Sequence, residues 1–361
     1  MGLLRLGVVF GGQSSEHEVS IMSARSIVRG LDRSKYDIKA IYVTKDGKWK
    51  DATNKMDIFF SPEAPEEIDL MSQLANLTED FNIVPDPTLD QGLDLVFPAI
   101  HGRQGEDGSI QGLLELAEIP YVGAGILGSA VSLDKAIMRI LFKAAGLPLL
   151  DWLTINFKMW EKDRASIVKE IETKIGYPCF VKPANFGSSV GITKVSKSQD
   201  LEKAIELALS YDRKIVIEKG LEKPREIECS VLGNEEPIVS IPGEIVPAND
   251  FYDYEAKYIS EQSKLLIPAP INEEHSRLIR ELAIKAFKAV DAAGMGRVDF
   301  FLTTKGEIYL NEINTIPGFT KISMYPKLWE ATGIEFSSLL DKLVELAHER
   351  FSRTNFGSSG K

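Results

Sequence analysis

The N-terminal hundred residues alternate short, continuously apolar runs with turn-and-helix segments, and this pattern restricts the fold more than any other feature of the chain. LLRLGVVF is a buried strand, and GGQSSEHEVS is a glycine turn that enters a helix. YDIKAIYVT and DLVFPAI supply two further strands, each bounded by turn residues. Apolar runs without a polar alternation belong to strands covered on both faces. Parallel strands with crossover helices, a doubly wound α/β arrangement, are therefore expected. Residues 50 to 90 are rich in Asp, Glu, Pro and Asn without clear periodicity and read as a surface insertion.

The pattern changes near Val131 to Lys135. SLDKAIMRILFKAAG predicts a helix capped by Ser132 and closed by Gly146. Beyond it come a strand (YPCFVKP), a glycine and serine loop (NFGSSVG), a second strand (ITKVS), a helix near 198 to 209 and the strand KIVIEKG. Together they predict a small, mostly antiparallel sheet with a helix over it. From Arg225 onward the reading gives strands REIECSVLG and PIVSIPG, a long polar loop through FYDYEAKY, and an amphipathic helix near 273 to 293. Strands GRVDFFL and EIYLNEINT and a terminal helix near 336 to 352 follow. The divisions expected are an α/β part over 1–133, a central part over 134–225 and a C-terminal α+β part over 226–352. A disordered tail is expected over 353–361.

A chain of 361 residues exceeds what one core usually serves. Its net charge of −11 disfavours nucleic acid or an anionic membrane as a main partner, since these need a clustered positive field. No apolar run approaches the roughly 20 residues of a membrane span, and MGLLRLGVVFGG enters a strand without a cleavable signal. A cytoplasmic protein is expected. Cys179 and Cys229, the two cysteines, lie among apolar neighbours and read as buried strand thiols.

Four stretches carry candidate chemistry. Asp299 in GRVDFFL and Glu312 with Asn314 in YLNEINTIPG stand on strands joined by the short TTKG turn. Glu312 and Asn314, two apart, share a face. Hard oxygen donors so grouped suit magnesium, although strand acids facing Lys or Arg would look the same. Lys182 ends an apolar strand just before Gly187, Ser188, Ser189 and Gly191, a loop whose N–H groups can approach phosphates. A hairpin turn beside a solvated lysine would also fit. Glu218, Lys219 and Leu221 close a strand where backbone groups could meet an adenine edge, and Glu226 follows. In GGQSSEHEVS, a capping box of Ser14, Ser15 and Glu18 would leave Glu16 and His17 unexplained.

Taken together, VVFGGQSSEHEVS, HGRQGEDGSIQGLLE, PYVGAGILGSAVSLDK, VKPANFGSSVGI, FYDYEAKY, GRVDFFL and YLNEINTIPGFTKIS resemble the D-alanine:D-alanine ligase family of the ATP-grasp superfamily. They occur in order from residue 8 to 323. The resemblance implies an ATP-grasp fold behind an N-terminal parallel-sheet domain, with ATP bound between two sheets. It also implies ATP as co-substrate, two Mg2+ or Mn2+ ions, two D-alanine sites and a homodimer. By matching motifs, Lys135 and Lys182 hold ATP phosphates, and Glu218, Lys219, Leu221 and Glu226 surround adenine and ribose. Asp299, Glu312 and Asn314 are the metal ligands. Glu16 receives the ammonium group of the first D-alanine, linked through Ser188 to Tyr258. Arg297 and the N–H of Gly318 are the oxyanion donors, Ser323 and Lys257 bind substrate, and His101 lines the acceptor site. Tyr258 beside Lys257 matches dipeptide-forming rather than lactate-forming relatives. A D-serine acceptor is less firmly separated. The chain departs from the pattern in a longer 50 to 90 insertion and in Gly220, where some members carry an aromatic residue.

Overall fold

A computed structural model describes residues 2–56, 74, 76–81, 92–246 and 264–354. The first part contains β1 (Leu4–Gly11), α1 (His17–Gly30), β2 (Tyr36–Val43), β3 (Trp49–Asp51), β4 (Leu95–Pro98), α2 (Ser109–Leu116) and α3 (Ile126–Leu133). The sheet order is β3-β2-β1-β4. β1 runs parallel to β2 and β4, and β3 adds an antiparallel edge. Alternation along β1 sends Val8 and Phe10 into one core and Val9 into another, where α2 supplies Ile110 and Leu114. Both faces are thus covered, which explains the unbroken apolar runs.

Next come α4 (Lys135–Ala144), β5 (Trp152–Asn156), α5 (Phe157–Lys162), α6 (Arg164–Lys174), β6 (Cys179–Pro183), β7 (Thr193–Val195), α7 (Leu201–Tyr211) and β8 (Lys214–Lys219). They build an antiparallel sheet ordered β5-β8-β6-β7. Its inner face packs Cys179, Val181, Ile215 and Ile217 against Ile167, Ile171 and Ile205 of the helices. The remaining elements are β9 (Arg225–Gly233), β10 (Ile238–Val239), β11 (Gly243–Val246), β12 (Lys264–Leu266), α8 (Glu273–Ala289), β13 (Gly294–Leu302), β14 (Ile308–Asn314), α9 (Met324–Thr332) and α10 (Phe336–Thr354). Here the order is β12-β11-β9-β13-β14, with β10 beside β9.

Two helices tie the layers together. α4 sends Met138 and Phe142 into the core beneath β9, β13 and β14, alongside Phe287 of α8. α10 crosses back to the first sheet, where Leu339, Leu343 and Val344 join Val8, Phe10 and Leu95 in one core. Both cysteines are free and buried, as expected. Burial pushes the Cys179 thiol up to about 11.

The helix starts differ from the sequence reading. α4 is capped by Asp134, whose carboxylate accepts from the N–H groups of Ala136 and Ile137, and not by Ser132, which belongs to the preceding helix. Gly146 does close the helix, with φ +65. The Ser14, Ser15 and Glu18 capping box is absent as well. Glu16 occupies the N-cap of α1 without a side-chain cap, Ser14 donates to His101 O, and Glu18 pairs with Lys45. PIVSIPG splits between β10 and β11, and β3, β5, β12, α2, α3, α5, α6 and α9 are additional to the elements expected from the sequence. The FYDYEAKY loop and residues 355–361 lie outside the described residues, while 353 and 354 end α10.

Asp134 also pairs with Lys214 of β8, so it fixes α4 to the central sheet. Asp134→Ala is expected to lower stability by about 1–2 kcal/mol in urea unfolding, and Asp134→Asn to restore most of the capping share.

Candidate active site

The large sheet sorts its residues by pleat. Ile227, Cys229, Val298, Phe300, Leu310 and Ile313 face the core. The other face carries Glu226 and Glu228 from β9, Arg297 and Asp299 from β13, and Glu312 and Asn314 from β14. Asp299 lies opposite both Glu312 and Glu228, and Arg297 lies opposite Asn314. A register shift between Asp299 and Phe300 inserts Asn311, so Asn311 and Glu312 both reach the cavity between the sheets. Arg297 grips Asp299 in a two-pronged contact, Nε to Oδ1 at 2.8 Å and Nη2 to Oδ2 at 2.7 Å, and lies 3.1 Å from Glu228 Oε2. A guanidinium between two carboxylates offsets their mutual repulsion.

Across the cavity, β6 and β8 present Phe180, Lys182 and Glu218 on the face away from their own core. Glu218 is 1% exposed and Lys182 8%. Lys182 Nζ donates to Glu218 Oε1, while Arg139 of α4 donates to Oε2. Burial alone would raise the Glu218 carboxyl, but Arg139 and Lys182 together hold it below its usual range. Burial pushes Lys182 below the usual lysine value, against the pull of Glu218. The cavity measures about 530 Å³ and is lined by Lys135, Lys182, Glu218, Lys219, Leu221, Glu226 and Glu312, with Phe180, Phe186, Ile192 and Phe301 as apolar walls. Flat apolar walls beside a few charges suit a ring joined to an anionic chain.

A smaller polar cleft adjoins it, lined by Glu16, Glu106, Lys135, Ser188, Arg297, Glu312 and Asn314 among others. Ser188 Oγ donates to Glu16 Oε1 and so links the first glycine turn to the loop between β6 and β7. Ser188 and Ser189 have φ of +48 and +61, left-handed values that side chains adopt at a cost. Gly102 and Gly187 let the backbone come close to Glu16, since a Cβ there would lie 2.7 and 3.1 Å from its Oε2. Lys135 donates to Phe186 O at 3.0 Å and lies 3.4 Å from Glu312, bridging loop and sheet.

Lys135, Lys182, Glu218, Lys219, Leu221, Glu226, Glu312, Asn314, Glu16, Ser188 and Arg297 all line the two cavities, and Asp299 lies behind them, paired to Arg297. His101 does not line either one. It is 2% exposed, its Nδ1 facing Ile316 O at 3.1 Å and its Nε2 facing Ser23 Oγ at 2.8 Å. Because Nδ1 meets a carbonyl, it carries the hydrogen, and His101 braces the loop that leads to Gly318. Gly318 sits against Ser323, whose Oγ accepts from Thr320 N at 3.0 Å. A Cβ at 318 would lie 2.7 Å from that oxygen. Lys257 and Tyr258 lie outside the described residues. Sequence reasoning missed Arg139, Glu106, Glu228 and Asn311. The Lys135–Arg139 spacing of four, one helix face, was the available signal for Arg139, whereas a bulge leaves none for Asn311.

Among the described residues no cluster of three or more His, Cys, Asp or Glu is placed as a metal centre, and no helix is long and apolar enough to cross a membrane. A cleft between two antiparallel sheets, with lysines and a glycine-rich loop on one and paired carboxylates on the other, defines an ATP-grasp enzyme behind a parallel-sheet domain. Residues 5–124 match the family profile described as D-ala D-ala ligase N-terminus, and residues 141–345 match D-ala D-ala ligase C-terminus. The chain belongs to the D-alanine–D-alanine ligase family. It is 47% identical over 369 residues to the D-alanine–D-alanine ligase of Ruminiclostridium cellulolyticum (98% of each chain covered). With that of Thermoanaerobacter pseudethanolicus it shares 52% over 350 residues (96% of each). Among solved structures it is similar to the D-alanine-D-alanine ligase from Coxiella burnetii, with TM-score 0.85 and 37% identity, covering 98% of this chain and 97% of that one. The VanG D-Ala:D-Ser ligase from Enterococcus faecalis gives 0.83 and 38%, covering 96% and 100%.

Replacing Glu218 leaves two buried cations without their shared anion. Glu218→Gln is expected to cost about 3–5 kcal/mol in urea unfolding, the scale for breaking a buried pair.

Proposed function

We propose that the protein joins two D-alanine molecules to D-alanyl-D-alanine through a D-alanyl phosphate, releasing ADP and phosphate, as a step in cell-wall precursor synthesis. The observation that carries this reading is that Glu16 and Ser188, bonded to each other, line the same polar cleft as Arg297, Glu312 and Asn314.

Adenine would lie among Phe180, Glu218, Lys219 and Leu221, with ribose at Glu226 and the phosphates toward Lys182 and Lys135. Asp299, Glu312 and Asn314 fit Mg2+ or Mn2+: two carboxylates and an amide oxygen on one sheet face leave positions for phosphate oxygens and water. Such ions would neutralise charge on the phosphates. Glu16 takes the ammonium of the first D-alanine, and Ser188 with Tyr258 holds that carboxylate in place. A carboxylate is a poor electrophile, so the first D-alanine attacks the γ-phosphorus and becomes an acylphosphate. The second amine then attacks its carbonyl, and phosphate leaves. Arg297 and the Gly318 N–H receive the developing oxyanion. Ser323 and Lys257 bind the second substrate, and His101 shapes its site from behind. The 184–192 loop and the FYDYEAKY segment exclude water from the acylphosphate. Parts 1–133, 134–225 and 226–352 serve as the D-alanine-binding, lid and metal-bearing portions. A cytoplasmic homodimer belongs to the same reading.

D-serine as acceptor is a second reading, favoured by the VanG likeness, whose identity equals that of the Coxiella burnetii D-alanine-D-alanine ligase to within a percentage point. Relatives at 47% and 52% over nearly the whole chain favour D-alanine. Incubation with ATP, magnesium and D-alanine, alone or with D-serine or D-lactate, followed by mass analysis, tests both. D-alanyl-D-alanine is expected from D-alanine alone, and ATP hydrolysis without dipeptide would overturn the proposal.

Arg297→Ala is expected to lower kcat by about 100-fold or more with ATP affinity little changed. For Glu312→Gln, the magnesium concentration giving half-maximal rate should rise, and an unchanged titration would remove Glu312 from the ligand set.

A further inference from the structure

Lys182 and Glu218 alone would make a closed, neutral ion pair, a poor partner for a polyphosphate. Arg139 changes that balance. It enters from α4, one turn beyond Lys135, and is 2% exposed. Its Nη2 donates to Glu218 Oε2, leaving Oε1 for Lys182. Nε and Nη1 are buried without a hydrogen-bond partner, and the guanidinium lies 6.0 Å from the Trp152 ring, so nothing else described draws charge from it. Arg139 does not line the cavity, whereas Lys182 and Glu218 do. The three groups together carry one net positive charge, directed into the cavity through Lys182.

We infer that Arg139 is a positioning residue for the nucleotide phosphates: by sharing Glu218 it leaves Lys182 a net positive charge to present to them. The inference rests on the reading of the cavity as the nucleotide site with Lys182 at its phosphate end. Geometry also explains the buried arrangement. With Arg139 on one oxygen and Lys182 on the other, the Glu218 carboxylate is held at both ends and in turn orients Lys182.

The test compares binding of magnesium-ATP and of adenosine to the full-length enzyme by calorimetry, for the wild type and for Arg139→Met, Arg139→Gln and Arg139→Lys. Arg139→Met is expected to weaken ATP binding about tenfold or more, the scale for one charge acting across a partly screened site, and to leave adenosine within about twofold. KM for ATP should rise accordingly, with KM for D-alanine unchanged. Arg139→Gln keeps a donor for Glu218 without the charge and should behave as Arg139→Met does, which covers a methionine variant that fails to fold. Arg139→Lys should bind ATP within about threefold of wild type, since the charge is kept. Equal losses for ATP and adenosine, unchanged ATP binding in the neutral variants, or an Arg139→Lys as weak as Arg139→Gln would each overturn the role. A wild-type protein that binds neither ligand would instead overturn the nucleotide-site reading.

Discussion

Four carboxylates, Glu226, Glu228, Asp299 and Glu312, share one face of the large sheet, and such crowding is tolerable only where cations meet them. The cations come from different places. Arg297 rises from the same sheet between Glu228 and Asp299, and Lys135 reaches Glu312 from the start of α4. The opposite sheet repeats the solution with Glu218 between Lys182 and Arg139. Charge compensation therefore requires α4, the central sheet and the large sheet to meet at one cleft, and the packing of each element can be traced to that meeting.

α4 has the central part in this. One face carries Lys135 to the cleft and Arg139 to Glu218 behind its wall, and Met138 and Phe142 anchor the helix in the core of the large sheet. Its first turn is capped by Asp134, which also holds Lys214 at the start of β8. A single helix thus sets the spacing between the two sheets. The Glu16–Ser188 bond closes the cleft from the first sheet, and α10 fixes that sheet by packing against its underside. Glycines at 102 and 187 keep the approach open: a Cβ at 102 would overlap the Glu16 carboxylate, and one at 187 would crowd it.

What the sequence disclosed follows from which patterns are local. Period-two spacing on β14 and the short turn to β13 group Asp299, Glu312 and Asn314 on one face from the sequence alone, and the unbroken apolar runs of β1 and β4 indicate a parallel sheet, whereas Glu226 joins that face only in the structure. The Asn311 bulge, the shared use of Glu218 by Arg139 and the bracing of the Gly318 loop by His101 are not legible in the sequence, because each depends on residues 79 to 215 positions apart or on a backbone irregularity. The caps show the same limit. Ser132 and Asp134 are both good capping residues, and only the junction of α3 with α4 decides between them. Motif order named the family, and the structure supplies the physical reason that those motifs belong together.

If the carboxylate of the first D-alanine attacks ATP and the acylphosphate is then opened by the second amine, one carboxylate oxygen must leave with the phosphate. D-alanine labelled with 18O in both carboxylate oxygens, incubated with ATP and magnesium, is expected to give inorganic phosphate carrying one 18O per molecule of dipeptide formed. Phosphate without label, released as dipeptide accumulates, would contradict the account.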